Sequence, residues 1–130
     1  MSQQVHRIRV RYAETDQMGV AHHAAYVTWL EEARIAWMRS NGLSYRDIEA
    51  SGTMMPVVDV HVIYKRPAKF DDVLEFATTA KAAGPSRVVF ATTISRGGDQ
   101  LAVAEVTIAA VDAAGKPIRI PAEILPLFSA

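Results

Sequence analysis

The stretch His23-Ala24-Ala25-Tyr26-Val27-Thr28-Trp29-Leu30-Glu31-Glu32-Ala33-Arg34-Ile35-Ala36-Trp37-Met38 decides how the rest of the chain must be arranged. Tyr26, Trp29, Leu30, Ala33, Ala36 and Trp37 recur at three and four residues, which predicts an amphipathic helix from about His23 to Met38 with these side chains on one broad side. Glu31, Glu32, Arg34 and Arg39 hold the charged positions. Both tryptophans are read as core, because a long apolar stripe at helical spacing faces a sheet. Ser40-Asn41-Gly42 supplies ordinary helix-stop chemistry. Ser44-Tyr45-Arg46-Asp47 then caps a second, short helix running to Ala50, which Ser51-Gly52 ends.

Upstream, Val5-His6-Arg7-Ile8-Arg9-Val10-Arg11-Tyr12 sets His6, Ile8, Val10 and Tyr12 against three arginines, a period of two that predicts a half-buried strand with a charged face. Downstream, Val58, Val60, Val62 and Tyr64 alternate with Asp59, His61, Ile63 and Lys65, and residues 73–80, 88–94 and 101–111 are further β-rich runs. Breaker-rich segments separate them, and Gly97-Gly98 predicts a hairpin between the last two long strands. Prolines leave the tail from Ile118 unassigned. This order makes the chain α+β, and one long helix on one face of an antiparallel sheet is the economical two-layer solution. No helix remains to cover the other face, whose strands are also rich in apolar positions. A second copy of the chain is the available cover.

Composition narrows the function classes. The 130 residues are 50% hydrophobic and 22% charged, which predicts a single domain over 1–130 with a core that needs no staples. Cysteine is absent, so disulfides, thiolate chemistry and cysteine-bound metals are excluded. Fourteen basic residues balance fourteen acidic ones, removing the overall electrostatic reason to expect nucleic acid or an anionic membrane. The start of the chain lacks the apolar centre of a signal peptide and no run is long enough to span a bilayer, so a cytoplasmic protein is expected.

Polar chemistry concentrates between Tyr12 and Tyr26, where Glu14, Asp16, His22 and His23 occupy the junction of a strand and a helix. A helix start offers unsatisfied N–H groups that hold an anion or polarise a carbonyl oxygen. Asp16 beside it can serve as general base or nucleophile toward that carbonyl, which permits acyl transfer without serine or cysteine. The competing reading makes Asp16 a loop or cap residue ahead of a glycine turn. Adjacent histidines are not the His-x-x-x-His pair that grips zinc from one helix face, so no metal is expected. Phosphate-binding glycine loops and a Gly-x-Ser-x-Gly elbow are also absent, and no cofactor is expected.

At Arg9-Val10-Arg11-Tyr12, Glu14-Thr15-Asp16, Gly19-Val20, His23-Ala24-Ala25-Tyr26 and Trp29-Leu30-Glu31-Glu32-Ala33-Arg34, the chain resembles the hotdog-fold acyl-coenzyme A thioesterases. It is similar to the group containing 4-hydroxybenzoyl-CoA thioesterase and the small Tol-Pal-associated thioesterase. Tyr64-Lys65-Arg66-Pro67-Ala68-Lys69-Phe70-Asp71-Asp72-Val73-Leu74-Glu75 adds a stretch shared by several hotdog subfamilies. The resemblance implies an antiparallel sheet wrapped around one long central helix, a homodimer that can pair into a homotetramer, and active sites at the subunit interface. It implies that Asp16 attacks an acyl-CoA thioester or activates water, that the backbone N–H at the helix start, best placed at His22 with help from its neighbours, polarises the carbonyl, and that His23 orients substrate or aspartate. Gly19, Val20, Tyr26 and Glu31 would line the substrate, with Glu31 alternatively a structural partner of Arg34. Lys65, Arg66, Ser86 and Arg87 would meet the CoA phosphates unless they are ordinary solvated turn residues. Met18 and His22 depart from the common pattern, so no acyl preference carries over. Two other functions compete: hydration or dehydration of an enoyl or hydroxyacyl thioester, and acyl-thioester binding without catalysis.

Overall fold

A computed structural model describes residues 4–128; the ends of the domain expected over 1–130 lie outside the described residues. The elements run β1 (Gln4–Arg9), α1 (His23–Ser40), α2 (Tyr45–Ala50), β2 (Val57–Tyr64), β3 (Val73–Ala82), β4 (Arg87–Arg96) and β5 (Asp99–Ala109). The strands form one antiparallel sheet in the order β1-β3-β4-β5-β2. It wraps the 18-residue α1, the hotdog arrangement expected.

Helical spacing explains how α1 seats itself. Tyr26, Trp29, Leu30 and Ala33 are buried against Leu74, Phe76, Ile94, Ala102, Ala104 and Val106. One to two turns later, Trp37 and Met38 join Val88, Phe90, Ile108 and Phe128. The helix therefore crosses the whole concave face, with burial alternating along β3, β4 and β5 as the pleat requires. Ala36 is only partly buried and Met38, two positions on, takes a core place at the end of an otherwise unchanged stripe. Ser44 accepts a capping bond from the Asp47 N–H at 3.2 Å, as expected for α2.

Three sequence expectations need correction. β1 stops at Arg9, because Tyr12–Glu14 turns into a 3-10 segment; Val10 is buried but Tyr12 is exposed. β2 is exposed almost throughout despite its alternation, because it is the sheet's edge, paired only with β5. The final strand begins at Asp99 and ends at Ala109, with Val111 making only isolated bridges to Met54 and Pro117. The Gly97-Gly98 hairpin forms as expected, Arg96 facing Asp99, with Gly97 at the positive φ of 60° that such a tight turn uses. The unassigned tail packs inward, and Phe128 stacks on Trp37 with centroids 5.7 Å apart.

The two core tryptophans differ in one respect. Trp29 Nε1 donates to Glu14 Oε2 at 2.9 Å, whereas Trp37 Nε1 is buried without a hydrogen-bond partner among the described residues. Replacing either by Phe removes a similar volume, but only Trp29→Phe also strips an acceptor of its donor. Trp29→Phe is expected to destabilise by about 1–2 kcal/mol more than Trp37→Phe in urea unfolding. Equal losses would mean that the Glu14 bond contributes nothing net.

Candidate active site

The segment between β1 and α1 is tied down by short backbone bonds. Thr15 bridges Ala21, Val20 bridges Lys69, and the Asp16 N–H donates to the Val20 carbonyl at 2.9 Å. Gly19 turns the loop at φ +76°, a value that a side chain there would strain. Its N–H donates to the Asp16 carbonyl and its carbonyl accepts from Phe70 N–H, so Gly19 is a turn residue anchored to the loop before β3.

Asp16 itself is exposed, and its Oδ1 accepts from the N–H groups of Met18 at 2.8 Å and Val20 at 3.1 Å. Both bonds land on Oδ1; Oδ2 takes neither. The Val20 N–H, then the Met18 N–H, stabilise the charged form and hold this carboxyl below the ordinary aspartate range. The loop reading and the catalytic reading of Asp16 are therefore compatible, since one oxygen organises the turn while the group stays ionised.

Glu14 was quoted in the sequence motif without a role, and its side chain holds both sides of this junction. Oε1 accepts from the Arg11 N–H at 2.8 Å, and Oε2 accepts from the Arg11 guanidinium at 3.1 Å and the Trp29 indole at 2.9 Å. Its own carbonyl accepts from His22 N–H at 2.9 Å. Burial is the largest influence on its carboxyl and pushes the pKa up, but the bonds from Arg11 and Trp29 outweigh it and the net shift is downward. The Arg11 spacing was legible locally; Trp29 is fifteen residues away and meets Glu14 only when α1 docks.

His22 is the N-cap of α1 and its N–H is already given to Glu14, so it is not open to a substrate. Turn bonding begins with Ala25 N–H to the His22 carbonyl, leaving His23 and Ala24 as the first-turn N–H groups without an intrahelical acceptor.

Of these two residues His23 lines a 220 Å³ cleft, with Val20, Ala21, Tyr26, Tyr64, Lys65, Arg66 and Pro67, whereas Ala24 lines a separate depression with His22 and Glu14. The His23 ring stacks on Tyr64 with centroids 4.2 Å apart, and Tyr26 meets Tyr64 edge-on at 4.9 Å. Burial pushes the Tyr26 and Tyr64 phenols above the ordinary tyrosine range. Lys65 reaches Gln100 and Arg66 pairs with Asp99 at 3.3 Å, so both cations are held at the mouth by β5.

Other expected site residues lie elsewhere in the protomer. His22 lines a separate depression with Arg11, Glu14 and Thr28. Glu31 lines a small cavity with Arg34, Val57 and Val60, and no ion pair joins Glu31 to Arg34 among the described residues. Ser86 and Arg87 sit at the start of β4, where Arg87 faces Ala109, whereas Tyr64 faces Ala102 toward the other end of β5. Arg7 and Arg9 are exposed and pair with Glu75 and Asp71, the solvated strand face expected of them. Among the described residues no His, Asp or Glu group could hold a metal ion, and no helix is long and apolar enough to cross a membrane.

Comparison with known proteins agrees with this architecture. Residues 10–128 match the family model described as the thioesterase-like superfamily. The acyl-CoA thioester hydrolase YbgC of Escherichia coli O157:H7 is 33% identical over 123 residues, spanning 93% of this chain and 92% of that one. YneP of Bacillus subtilis is 46% identical over a shorter 65 residues, 50% of this chain and 47% of that one. A hypothetical protein from Thermus thermophilus superposes with a TM-score of 0.89 at 36% identity, covering 95% of both chains. A DHNA-CoA thioesterase from Staphylococcus aureus gives 0.87 at 32% identity, over 92% of this chain and 81% of that one. The chain belongs to the thioesterase-like superfamily of hotdog proteins, a membership that supports hydrolysis of acyl thioesters.

Proposed function

We propose that the protein hydrolyses an acyl-CoA thioester to a free acid and CoA, as the names of its YbgC and DHNA-CoA relatives describe for those proteins. The observation that supports this reading is a cleft with Lys65 and Arg66 at its mouth, lined by His23 at the start of α1 and by Val20, whose N–H donates to Asp16 Oδ1. The thioester carbonyl oxygen is polarised by the first-turn N–H of His23, where developing negative charge meets the positive end of the helix. Ionised Asp16 supplies its second oxygen, either to the carbonyl carbon directly or to a water that attacks it. On the water route the C–S bond breaks as the water adds, its proton passes through Asp16 to the CoA thiolate, and the acid is released. On the direct route CoA thiolate leaves an Asp16–acyl anhydride, which a water then hydrolyses to the acid and ionised Asp16 while the thiolate takes up a proton from solvent. His23, stacked on Tyr64, and Tyr26 orient the acyl group beside Val20.

A homodimer completes the phosphate site. If the edge strand β2 pairs antiparallel with β2 of a second copy, the partner's β5 and β4 continue the sheet beyond it. The Val57 end of the partner's β2 then lies beside Tyr64, and Arg87 of the partner subunit comes to the Lys65 and Arg66 end. Three strand spacings, roughly 14 Å, separate β2 from that strand. The four residues expected to meet CoA are thereby gathered from two chains, a distribution that fits a ligand as long as coenzyme A.

The test is release of free thiol across a panel of short, long and aromatic acyl-CoAs. Turnover of at least one thioester is expected; binding without thiol release across the panel would overturn hydrolysis and leave the hydratase or dehydratase and the non-catalytic binder. The rate profile provides a further check. Catalysis needs the ionised carboxylate, whose pKa is lowered by the Val20 and Met18 N–H groups, so activity is lost only as pH falls through that lowered value. The Asp16 limb of kcat/KM is therefore expected below the ordinary aspartate range. A single acid limb near pH 6.5 would point to histidine as the essential base instead.

A further inference from the structure

Beside the edge strand, α1 presents Val27, Glu31 and Arg34, four and three residues apart and so on one face. With Leu30, Val57, Val60 and Val106 they line an 80 Å³ cavity between the helix and β2. Val57 and Val60 are 42% and 40% exposed and Val27 is 50% exposed, so the surface is apolar around two opposite charges. Arg34 is half-buried, yet no carboxylate lies within ion-pairing distance of it among the described residues. Removal from water draws its guanidinium below the usual arginine range, against the opposing influence of the Glu31 and Tyr45 side chains. A cation set into an apolar rim without a paired anion is a costly arrangement unless something else covers it.

Symmetry identifies the cover. We infer that Glu31 and Arg34 form reciprocal ion pairs with the partner subunit's Arg34 and the partner subunit's Glu31 across the two-fold axis of the homodimer, keying the register of the joined β2 edges. This rests on the shared-cleft dimer proposed above and adds the contact that aligns it. In a two-fold contact residue i meets j while j meets i, so a surface patch must complement itself. A Glu and an Arg one turn apart do so when two copies of α1 lie antiparallel. Their place beside Val60, midway along β2, puts them where an axis through the centre of the paired edges would pass. The two charges are separated along α1 by about 4.5 Å of rise, enough to straddle that axis. A one-residue slip of the β2 pairing would turn Val60 to the opposite face and part the charges, so apolar and ionic parts specify the same register.

Charge reversal tests the pair on the full chain by sedimentation equilibrium. Glu31→Arg and Arg34→Glu are each expected to raise the dimer dissociation constant at least about tenfold, since each sets like charges across the axis. The double reversal, Glu31→Arg with Arg34→Glu, restores opposite charges and is expected to recover the wild-type constant to within about threefold. Circular dichroism checks folding, and Glu31→Gln and Arg34→Gln replace any reversal that does not fold, each expected to weaken association. Single reversals without effect would overturn the pair, as would weakening that the double reversal fails to repair. Unchanged association with an altered KM would assign the cavity to substrate and overturn it too. A monomeric wild type would overturn the shared-cleft reading itself, a result distinct from a wild-type dimer indifferent to these charges.

Discussion

Asp16→Asn should lower acyl-CoA turnover by at least about 100-fold while leaving the fold and thioester binding in place. The substitution separates the two jobs of this side chain. Asparagine keeps a carbonyl oxygen where Oδ1 now accepts from Met18 and Val20, so the turn around Gly19 retains its bonds. It loses the negative charge and the basic second oxygen, which are what attack or deprotonation requires. Thiol release measured beside circular dichroism distinguishes the cases. Near-normal turnover would reduce Asp16 to its structural part, and an unfolded variant would show that the turn depends on the charge. Because the group is fully exposed, its low pKa comes from directed N–H bonds, and its effect belongs to the rate rather than to stability.

Glu14→Ala should be the most damaging single change in the loop, destabilising by about 2–4 kcal/mol and lowering turnover without touching substrate. It leaves the Arg11 N–H, the Arg11 guanidinium and the Trp29 indole without their acceptor, the last of these in the core beneath α1. The Asp16 turn lies between Glu14 and His22, and the Glu14 side chain is only 11% exposed, so water is a poor substitute. Urea unfolding gives the stability loss; kcat falling more than KM rises would mark mispositioning. A loss under about 0.5 kcal/mol would show that the clamp is not structural. The pH dependence has a definite sign. Glu14 is held below its ordinary value, so its contribution is complete above the unfolded glutamate range and is lost as pH falls through the lowered folded value. Glu14→Gln should accordingly lose less stability than the wild type on acidification through that window.

The elements most legible in the sequence were those whose cause is local. The α1 stripe at 3.6-residue spacing, the Ser44 cap and the Gly97-Gly98 turn each follow from residues within a few positions of one another. That Val20, His23 and Tyr26 share one cleft follows for the same reason, since the strand-loop-helix junction is continuous in the chain. Alternation in β2 misled because a period of two reports a pleat and not which strands flank it. Only the sheet order shows that this strand is the edge. That the His22 N–H is taken could not be read from the sequence, because its acceptor, the Glu14 carbonyl, reaches it only through the loop's fold.

The sequence by itself determined the two layers: one helix whose apolar stripe needs a sheet, strands enough to provide it, and a polar junction able to handle an acyl group without cysteine. Tertiary structure decided which charges meet. It brought Glu14 to Trp29 and joined Val20, His23 and Tyr26 to Lys65 and Arg66, while setting Ser86 and Arg87 toward the opposite end of the sheet. Periodicity encodes which side of an element faces the core, because each residue's direction follows from its neighbours. Pairings between distant residues depend on strand order and helix docking, which no local pattern contains.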